Sequence, residues 1–292
     1  MTEGVIIKGF GGFYFVSAEN KIYTCSLRGK LRKSKAGVMT GDHVLFTILP
    51  EEKGVVEEIL PRHNLLIRPK IANIEQGLII LAAADPDPDW MLLDRLLVLM
   101  QWQQVAPILC FNKMDTVTAD HLVYQQKMVY EQAGFPVILA SAQTGQGKEA
   151  LQSALCGKIS VVAGPSGAGK SSLLNLLEPG FALTTGSISD KLGRGRHTTR
   201  YVELLPLTTG GWIADSPGFS RLDLPVELTT EALAALYPDF LQVASHCRFD
   251  GCLHDQEPDC AVKAACQKGD IDQGRYQRYL LLLEELRQRQ QY

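Results

Sequence analysis

The chain has 292 residues, 46% apolar and 21% charged, with 29 basic against 32 acidic side chains for a net charge of −3. That length suggests roughly two domains of about 150 residues, or three if some are small, and the charge balance excludes a polycation that coats nucleic acid or membrane over its whole surface. The longest apolar runs, 78–84 and 279–283, fall far short of the ~18 residues of a membrane-spanning helix, and residues 1–8 lack the basic and apolar regions of a secretion signal, so a cytoplasmic protein without a membrane partner is expected.

The first 65 residues read as short strands punctuated by glycine, at 5–7, 13–16, 21–25, 43–48 and 54–59. Five short strands predict a small β-barrel over 1–65. Residues 28–35 hold five cations and no acid (Arg28, Lys30, Arg32, Lys33 and Lys35), and residues 1–49 carry seven basic against three acidic side chains, a local +4. Such a run is often just a solvated loop. On a small barrel it also suits RNA phosphates.

From about residue 74 apolar strands alternate with helical stretches, the strands at 78–83, 105–111, 136–140, 159–163 and 212–214. This predicts an α/β domain with a mainly parallel sheet over 66–224. Asp89 is placed to N-cap a helix over 90–103, with Leu93, Leu96, Leu97 and Met100 on one face. Past Leu224 the strands stop. Residues 225–292 contain a Cys/His cluster and end in a helix striped by Tyr276, Tyr279, Leu280, Leu283 and Leu286. Arg275, Arg278, Arg287 and Arg289 fall off that stripe, so the helix is expected to pack back on the protein with a basic outer face.

Strand 159–163 runs into Gly164-Pro165-Ser166-Gly167-Ala168-Gly169-Lys170-Ser171, which matches G-x-x-x-x-G-K-[ST] without a mismatch, and a helix follows from Ser172. The glycines let successive N–H groups converge on phosphate oxygens, and the helix turns its positive end to the same place. Lys170 suits the β/γ-phosphates and Ser171 suits Mg²⁺. Guanylate kinases share this loop sequence, so the loop alone leaves a guanylate kinase-like phosphotransferase open.

Asn112-Lys113-Met114-Asp115 closes the strand at 105–111. A carboxylate at Asp115 can accept from both the N1–H and the exocyclic amine of guanine, a pair of donors adenine lacks. Asn112 and Lys113 would brace the base and the phosphate loop. Ser141-Ala142 closes the next strand, and a tight turn over 143–147 could aim the Ala142 N–H at guanine O6. Farther on, the strand at 212–214 leads into Asp215-Ser216-Pro217-Gly218, with Asp215 suited to Mg²⁺ through water and the Gly218 N–H to the γ-phosphate. Between these lies a basic, glycine-rich switch segment over 193–200, in which Thr198 or Thr199 could complete the Mg²⁺ shell. Phe219 stands where a Ras-like enzyme has the glutamine that orients water, so slow intrinsic hydrolysis is expected. His197 is the best internal group to hold or deprotonate that water, an RNA or phosphate contact being the alternative.

Seven cysteines are spread unevenly: Cys25, Cys110 and Cys156 stand singly, whereas Cys247, Cys252, Cys260 and Cys266 fall within twenty residues. Cys247-x4-Cys252-x-His254-x5-Cys260 offers three thiolates and one imidazole, a closed tetrahedral set for a structural Zn²⁺. His246 reads as a surface or RNA contact and Cys266 as a small helix residue.

The order of these motifs is unusual. N-K-x-D and S-A precede the phosphate loop and D-x-P-G, where common GTPases run the other way, so the GTPase domain reads as circularly permuted. With the five-strand module before it and the Cys/His cluster after it, the whole chain resembles the ribosome small-subunit-dependent GTPase A family (RsgA, also called YjeQ or YloQ). The resemblance implies an OB-fold barrel, a permuted P-loop GTPase domain and a zinc-binding helical domain. It implies GTP/GDP with Mg²⁺ and one structural Zn²⁺ as cofactors; the residues read above give Lys170, His197, Thr198 and Thr199 as the candidate catalytic set, and a monomer is expected. As partner it implies the small ribosomal subunit and its rRNA, in late subunit maturation with subunit-stimulated GTP hydrolysis. Arg194, Arg196 and Arg200 could meet rRNA phosphates, and ordering of the switch segments could pull on the zinc module. A zinc- and barrel-based RNA-binding protein with a vestigial nucleotide site is opposed by the intact Asp115, Lys170, Ser171 and Asp215.

Overall fold

The computed structural model describes residues 1–32, 37–67, 70–181, 202–214 and 223–290. Strands β1 (Thr2–Phe10), β2 (Phe13–Ala18), β3 (Lys21–Leu27), β4 (His43–Leu49) and β5 (Lys53–Ile59) close a barrel in the order β1-β2-β3-β5-β4, with a turn of helix, α1 (Gly29–Arg32), after β3. The β3/β5 pair is parallel and the other four pairs are antiparallel, an OB-like arrangement. Alternation fills the interior with Ile6, Val16, Cys25, Val44, Phe46 and Val56, all without exposure.

A hairpin of β6 (Leu65–Ile67) and β7 (Lys70–Ala72) leads out of the barrel. The buried Asp42 carboxylate takes two hydrogen bonds from Arg62, at 2.6 and 2.8 Å, fixing the barrel to this exit segment. Farther along, Lys8 Nζ lies 2.9 Å from Glu203 and Thr40 Oγ1 donates to the Val202 carbonyl at 3.0 Å, so the barrel also touches the edge of the central sheet.

The central layer consists of β8 (Gln76–Ala82), α2 (Trp90–Trp102), β9 (Ala106–Asn112), α3 (Leu122–Gln132), β10 (Val137–Leu139), α4 (Lys148–Leu155), β11 (Ile159–Ala163), α5 (Lys170–Leu177), β12 (Leu204–Pro206) and β13 (Trp212–Ala214). The sheet order is β10-β9-β8-β11-β13-β12, parallel throughout except for β12. All seven residues of β8 are buried, as a run covered by helices on both faces should be. The chain steps outward from β8 to β9 and β10, then returns to the far side of β8 as β11. That reversal opens a crevice at the carboxyl ends of β8 and β11, the usual ligand position in open α/β sheets.

Helix α2 begins where Asp89 predicts, its side chain accepting from the Leu92 N–H at 2.9 Å. The expected face of Leu93, Leu96, Leu97 and Met100 packs on the sheet. A second face, with Asp94, Val98 and Leu99, is also buried, under the C-terminal helices α6 (Thr230–Ala234), α7 (Pro238–Ala244), α8 (Ala261–Lys268) and α9 (Gln273–Gln290). Tyr237, Phe240, Tyr279, Leu282, Leu283 and Leu286 share that core with Val98 and Leu99.

The expected basic outer face of the last helix is not found. Arg275 is 1% exposed. Its Nη1 donates to Asp94 at 2.7 Å, and Nε and Nη2 both reach Asp239 at 3.2 Å. Its guanidinium lies 5.1 to 5.5 Å from the ring centroids of Tyr130, Phe135 and Tyr237. Burial by itself would lower the pKa of Arg275, but attraction to Asp94 and Asp239 prevails and raises it. Arg278 also donates to Asp94, Arg287 pairs with Asp255 at 2.7 Å, and Arg289 pairs with Glu285 at 2.6 Å. Arg275, Arg278 and Arg287 reach acids on other elements, a pairing that helical periodicity does not reveal, while Arg289 is exposed and pairs within the helix. Among the described residues no helix is long and apolar enough to cross a membrane.

Replacing Arg275 with Met strands the buried Asp239 carboxylate. The expected loss of stability is about 3–5 kcal/mol, as for other broken buried pairs, read as a fall in the urea midpoint by circular dichroism. A loss below about 1 kcal/mol, the range of solvated pairs, would mean the network is not dry.

Candidate functional site

The glycine-rich loop lies in the crevice between β11 and α5. Gly164 has φ +136°, and a Cβ there would come within 2.0 Å of the Ile80 carbonyl oxygen, so only glycine lets the loop leave β11 against β8. Gly169 has φ +83° and caps α5, and a Cβ there would meet Asn112 Nδ2 at 2.2 Å. The helix starts at Lys170, two residues earlier than expected, which puts Ser171 and Ser172 in its first turn. Lys170 Nζ donates to the Gly164 and Pro165 carbonyls at 2.9 and 2.7 Å and so lies across the mouth of the loop. Ala168 is packed into the core, whereas Ser166 and Gly167 face solvent.

Asn112, buried at the end of β9, ties three segments together. Its Nδ2 donates to the Ala168 carbonyl at 2.9 Å and its Oδ1 accepts from the Ala142 N–H at 3.2 Å. The phosphate loop and the Ser141-Ala142 turn are thereby held to one side chain. Lys113 adopts the left-handed conformation with φ 63°, which swings the following residues back over the strand ends. Asp115 stays exposed while the fully buried Ser141 donates its hydroxyl to one carboxylate oxygen. The Ser141 hydroxyl in turn accepts from the Thr144 N–H at 3.1 Å, closing the turn. The exposed Asp115 carboxylate suits the two donors of guanine, whereas the Ala142 N–H, expected to face guanine O6, is directed at Asn112 Oδ1 here.

One contributor was missed in the sequence, the loop between β8 and α2. Lys113 Nζ donates to the Asp85 carbonyl, and Pro86 lies 3.2 Å from where a Cβ on Gly167 would stand. The loop therefore touches both the base-side lysine and the phosphate loop. Its Asp85-Pro86-Asp87-Pro88 sequence, stiff and poor in helix formers, was the available signal. Asp215, Gly218, Phe219, His197, Thr198 and Thr199 lie outside the described residues, as do Arg194, Arg196 and Arg200. The described part of β13 ends at Ala214, paired with Val161 of β11.

A second candidate site sits under α7, α8 and α9. The side chains of Cys247, Cys252, His254 and Cys260 place one ligand atom each within 4.8 Å of one another. Cys247 Sγ and Cys260 Sγ are 4.0 Å apart, and His254 Nδ1 is 3.6 and 3.5 Å from them. Tetrahedral zinc with Zn–S near 2.3 Å and Zn–N near 2.0 Å sets those separations at about 3.8 and 3.5 Å. The donor set therefore fits Zn²⁺ in spacing and in chemistry. Burial lowers the pKa of His254, which favours the neutral imidazole a metal needs, and pushes the Cys252 thiol up to about 12, so a metal must displace its proton. Glu257 accepts from the Leu253 and Asp255 N–H groups at 2.8 and 2.9 Å, and Tyr279 and Tyr276 donate to the Leu253 and His254 carbonyls at 2.6 and 2.8 Å. Those bonds hold His254 at φ 58°. Cys266 is a buried residue of α8 outside the cluster, and His246 is exposed.

The family model for the RsgA GTPase matches residues 59–225, and the model for the RsgA N-terminal domain matches residues 3–56. The chain belongs to the RsgA GTPase family. It is 44% identical to the small ribosomal subunit biogenesis GTPase RsgA of Moorella thermoacetica over 97% of each chain, and 45% identical to the RsgA of a Geobacillus species over 99% of each. Among solved structures, YjeQ from Thermotoga maritima is similar with a TM-score of 0.85 at 33% identity, covering 98% of both chains. YloQ, described as a circularly permuted GTPase, has the same TM-score at 36% identity, covering 99% of this chain and 96% of that one. The RsgA sheet explains why permutation is tolerated: β9, which carries Asn112, and β11, which carries the phosphate loop, both neighbour β8, whatever their order in sequence.

Thiol labelling reports on the metal cluster. In the metal-loaded protein the exposed Cys156 should react alone, and a strong chelator should add Cys247, Cys252 and Cys260. Cys25 and Cys110, raised by burial to about 11 and about 12, should stay silent until unfolding. A thiol count that ignores the chelator would mean the cluster holds no metal.

Proposed function

We propose that the chain binds GTP in the crevice between β8 and β11 and hydrolyses it to GDP and phosphate when docked on the small ribosomal subunit, acting in late maturation of that particle. The observation that carries this reading is the Asn112 side chain, which joins the phosphate loop at Ala168 to the base-side turn at Ala142. A phosphate grip and a guanine-reading edge are thereby fixed at one distance. Asn112, Lys113, Asp115, Ser141 and Ala142 hold the base. Gly164 to Ser172 hold the phosphates, with Lys170 leaving its carbonyl partners for the β/γ-phosphates. Ser171 and Asp215 would hold Mg²⁺, which supplies charge neutralisation at the β- and γ-oxygens. Thr198 or Thr199 would complete the Mg²⁺ shell, and the Gly218 N–H would meet the γ-phosphate.

Phe219 cannot orient water, so turnover waits on the partner, with His197 as the residue that positions the nucleophile. The domain limits we assign are 1–65 for the RNA-binding barrel, 66–224 for the GTPase domain and 225–292 for the zinc-binding domain, whose Cys247, Cys252, His254 and Cys260 hold one structural Zn²⁺. Phe10 and Phe13, 60% and 54% exposed at the β1–β2 turn, lie on the barrel that carries the basic run and suit stacking on rRNA bases. The protein acts as a monomer in the cytoplasm, where its ribosomal partner is assembled.

Sedimentation with purified subunits tests the reading. The protein should pellet with small subunits in the presence of a non-hydrolysable GTP analogue and not with large subunits. Asp115→Asn should lose roughly 10- to 100-fold in GTP affinity, since a hydrogen bond to a charged group contributes about 1.5–3 kcal/mol. The same variant should gain affinity for the xanthine analogue, whose 2-carbonyl accepts from the new amide. Equal pelleting with both subunits, or unchanged base preference in Asp115→Asn, would contradict the proposal.

A further inference from the structure

The nucleotide crevice and the zinc cluster lie at opposite ends of one continuous chain of contacts. At the crevice end, Lys113 donates to Asp85 and the phosphate loop abuts Pro86, both in the loop that enters α2 through its Asp89 cap. Helix α2 has 13 residues, and Leu93 to Met100 are buried on both faces apart from Arg95. Asp94, without exposure, takes hydrogen bonds from Arg275, Arg278 and the Tyr130 hydroxyl. Beside it Arg95 reaches Glu285 with two bonds, at 3.1 and 2.5 Å. These contacts bolt α9 to α2 at Arg275, Arg278 and Glu285. From the adjoining face of α9, Tyr276 and Tyr279 donate to the carbonyls of His254 and Leu253 in the metal loop.

We propose that α2 and α9 form a strut through which guanine-nucleotide occupancy and zinc retention are coupled, with Arg275 and Asp94 as its positioning residues. The proposal rests on the nucleotide reading given above. Its physical basis is that a dry ion network and a packed core cannot deform gradually, so a shift of the Asp85–Asp89 loop on nucleotide binding moves α2, and α9 must follow. This route does not depend on the switch segments. Linkage requires the effect to be reciprocal: if nucleotide tightens zinc, zinc tightens nucleotide by the same factor.

The test uses the full-length, zinc-loaded protein. GDP affinity is first measured by titration of a fluorescent GDP. Zinc affinity is then measured by competition with a strong chelator, with and without saturating GDP. The expected result is a zinc Kd tightened at least about 5-fold by GDP, the low end of typical coupling. Tyr276→Phe with Tyr279→Phe keeps both rings in the core and removes only the two hydroxyls to the metal loop, so the GDP effect should fall to near unity in that variant while GDP binding persists. Arg275→Lys should also lose it. If GDP binds but leaves zinc affinity unchanged, or if the double Phe variant keeps the full GDP effect, the strut is overturned while the nucleotide reading stands. Failure of GDP to bind at all would overturn both.

Discussion

A carboxylate with no access to water has to be met by donors, and the three that meet Asp94 come from two distant parts of the chain. Tyr130 arrives from α3, Arg275 and Arg278 from α9. Arg275, now dry itself, then requires Asp239 from α7. A buried network of this kind contributes less to net stability than to the choice of a single arrangement, because any alternative docking of the helices strands a charge. The apolar core of Val98, Leu99, Tyr279 and Leu283 supplies the bulk attraction, and the ion network fixes the register. The Cys/His cluster region is thus anchored to the helix that begins at the nucleotide crevice.

Asn112 plays the corresponding part at the crevice, with an amide in place of a charge. Its two hydrogen bonds join loops that follow β10 and β11, strands that are not neighbours in the sheet. Because the site is defined by strand neighbours, moving the chain ends leaves it intact. The permutation does change what is covalently attached. It puts the barrel just before β8, at the end of the sheet away from the crevice, and the Cys/His-bearing helices after the D-x-P-G segment in sequence.

Much of this was legible in the sequence because the chemistry there is local. The phosphate loop declares itself through glycines that only a tight backbone needs, the barrel through five short strands punctuated by glycine, and the Cys/His cluster through four candidate ligands in fourteen residues, Cys247 to Cys260. The face of Leu93, Leu96, Leu97 and Met100 on α2 was equally plain. Its second face was not, because nothing local ties Asp94 and Arg95 to partners that lie some 180 residues away. The last helix failed for the same reason: periodicity marks where apolar side chains go and is silent on whether an arginine beside them finds a buried acid. The loop at Asp85 was overlooked because its contribution is a backbone carbonyl, which any residue carries.

The account turns on a GTP site that is assembled in the isolated chain and, with Phe219 in place of a water-orienting glutamine, waits on its partner for fast turnover. GTP turnover by the purified protein, measured with small subunits, with large subunits and with neither, and repeated with ATP, addresses that directly. The account predicts slow turnover alone and a large stimulation confined to small subunits and to GTP. Turnover that is flat across every ribosomal particle, or equally stimulated with ATP, would contradict it.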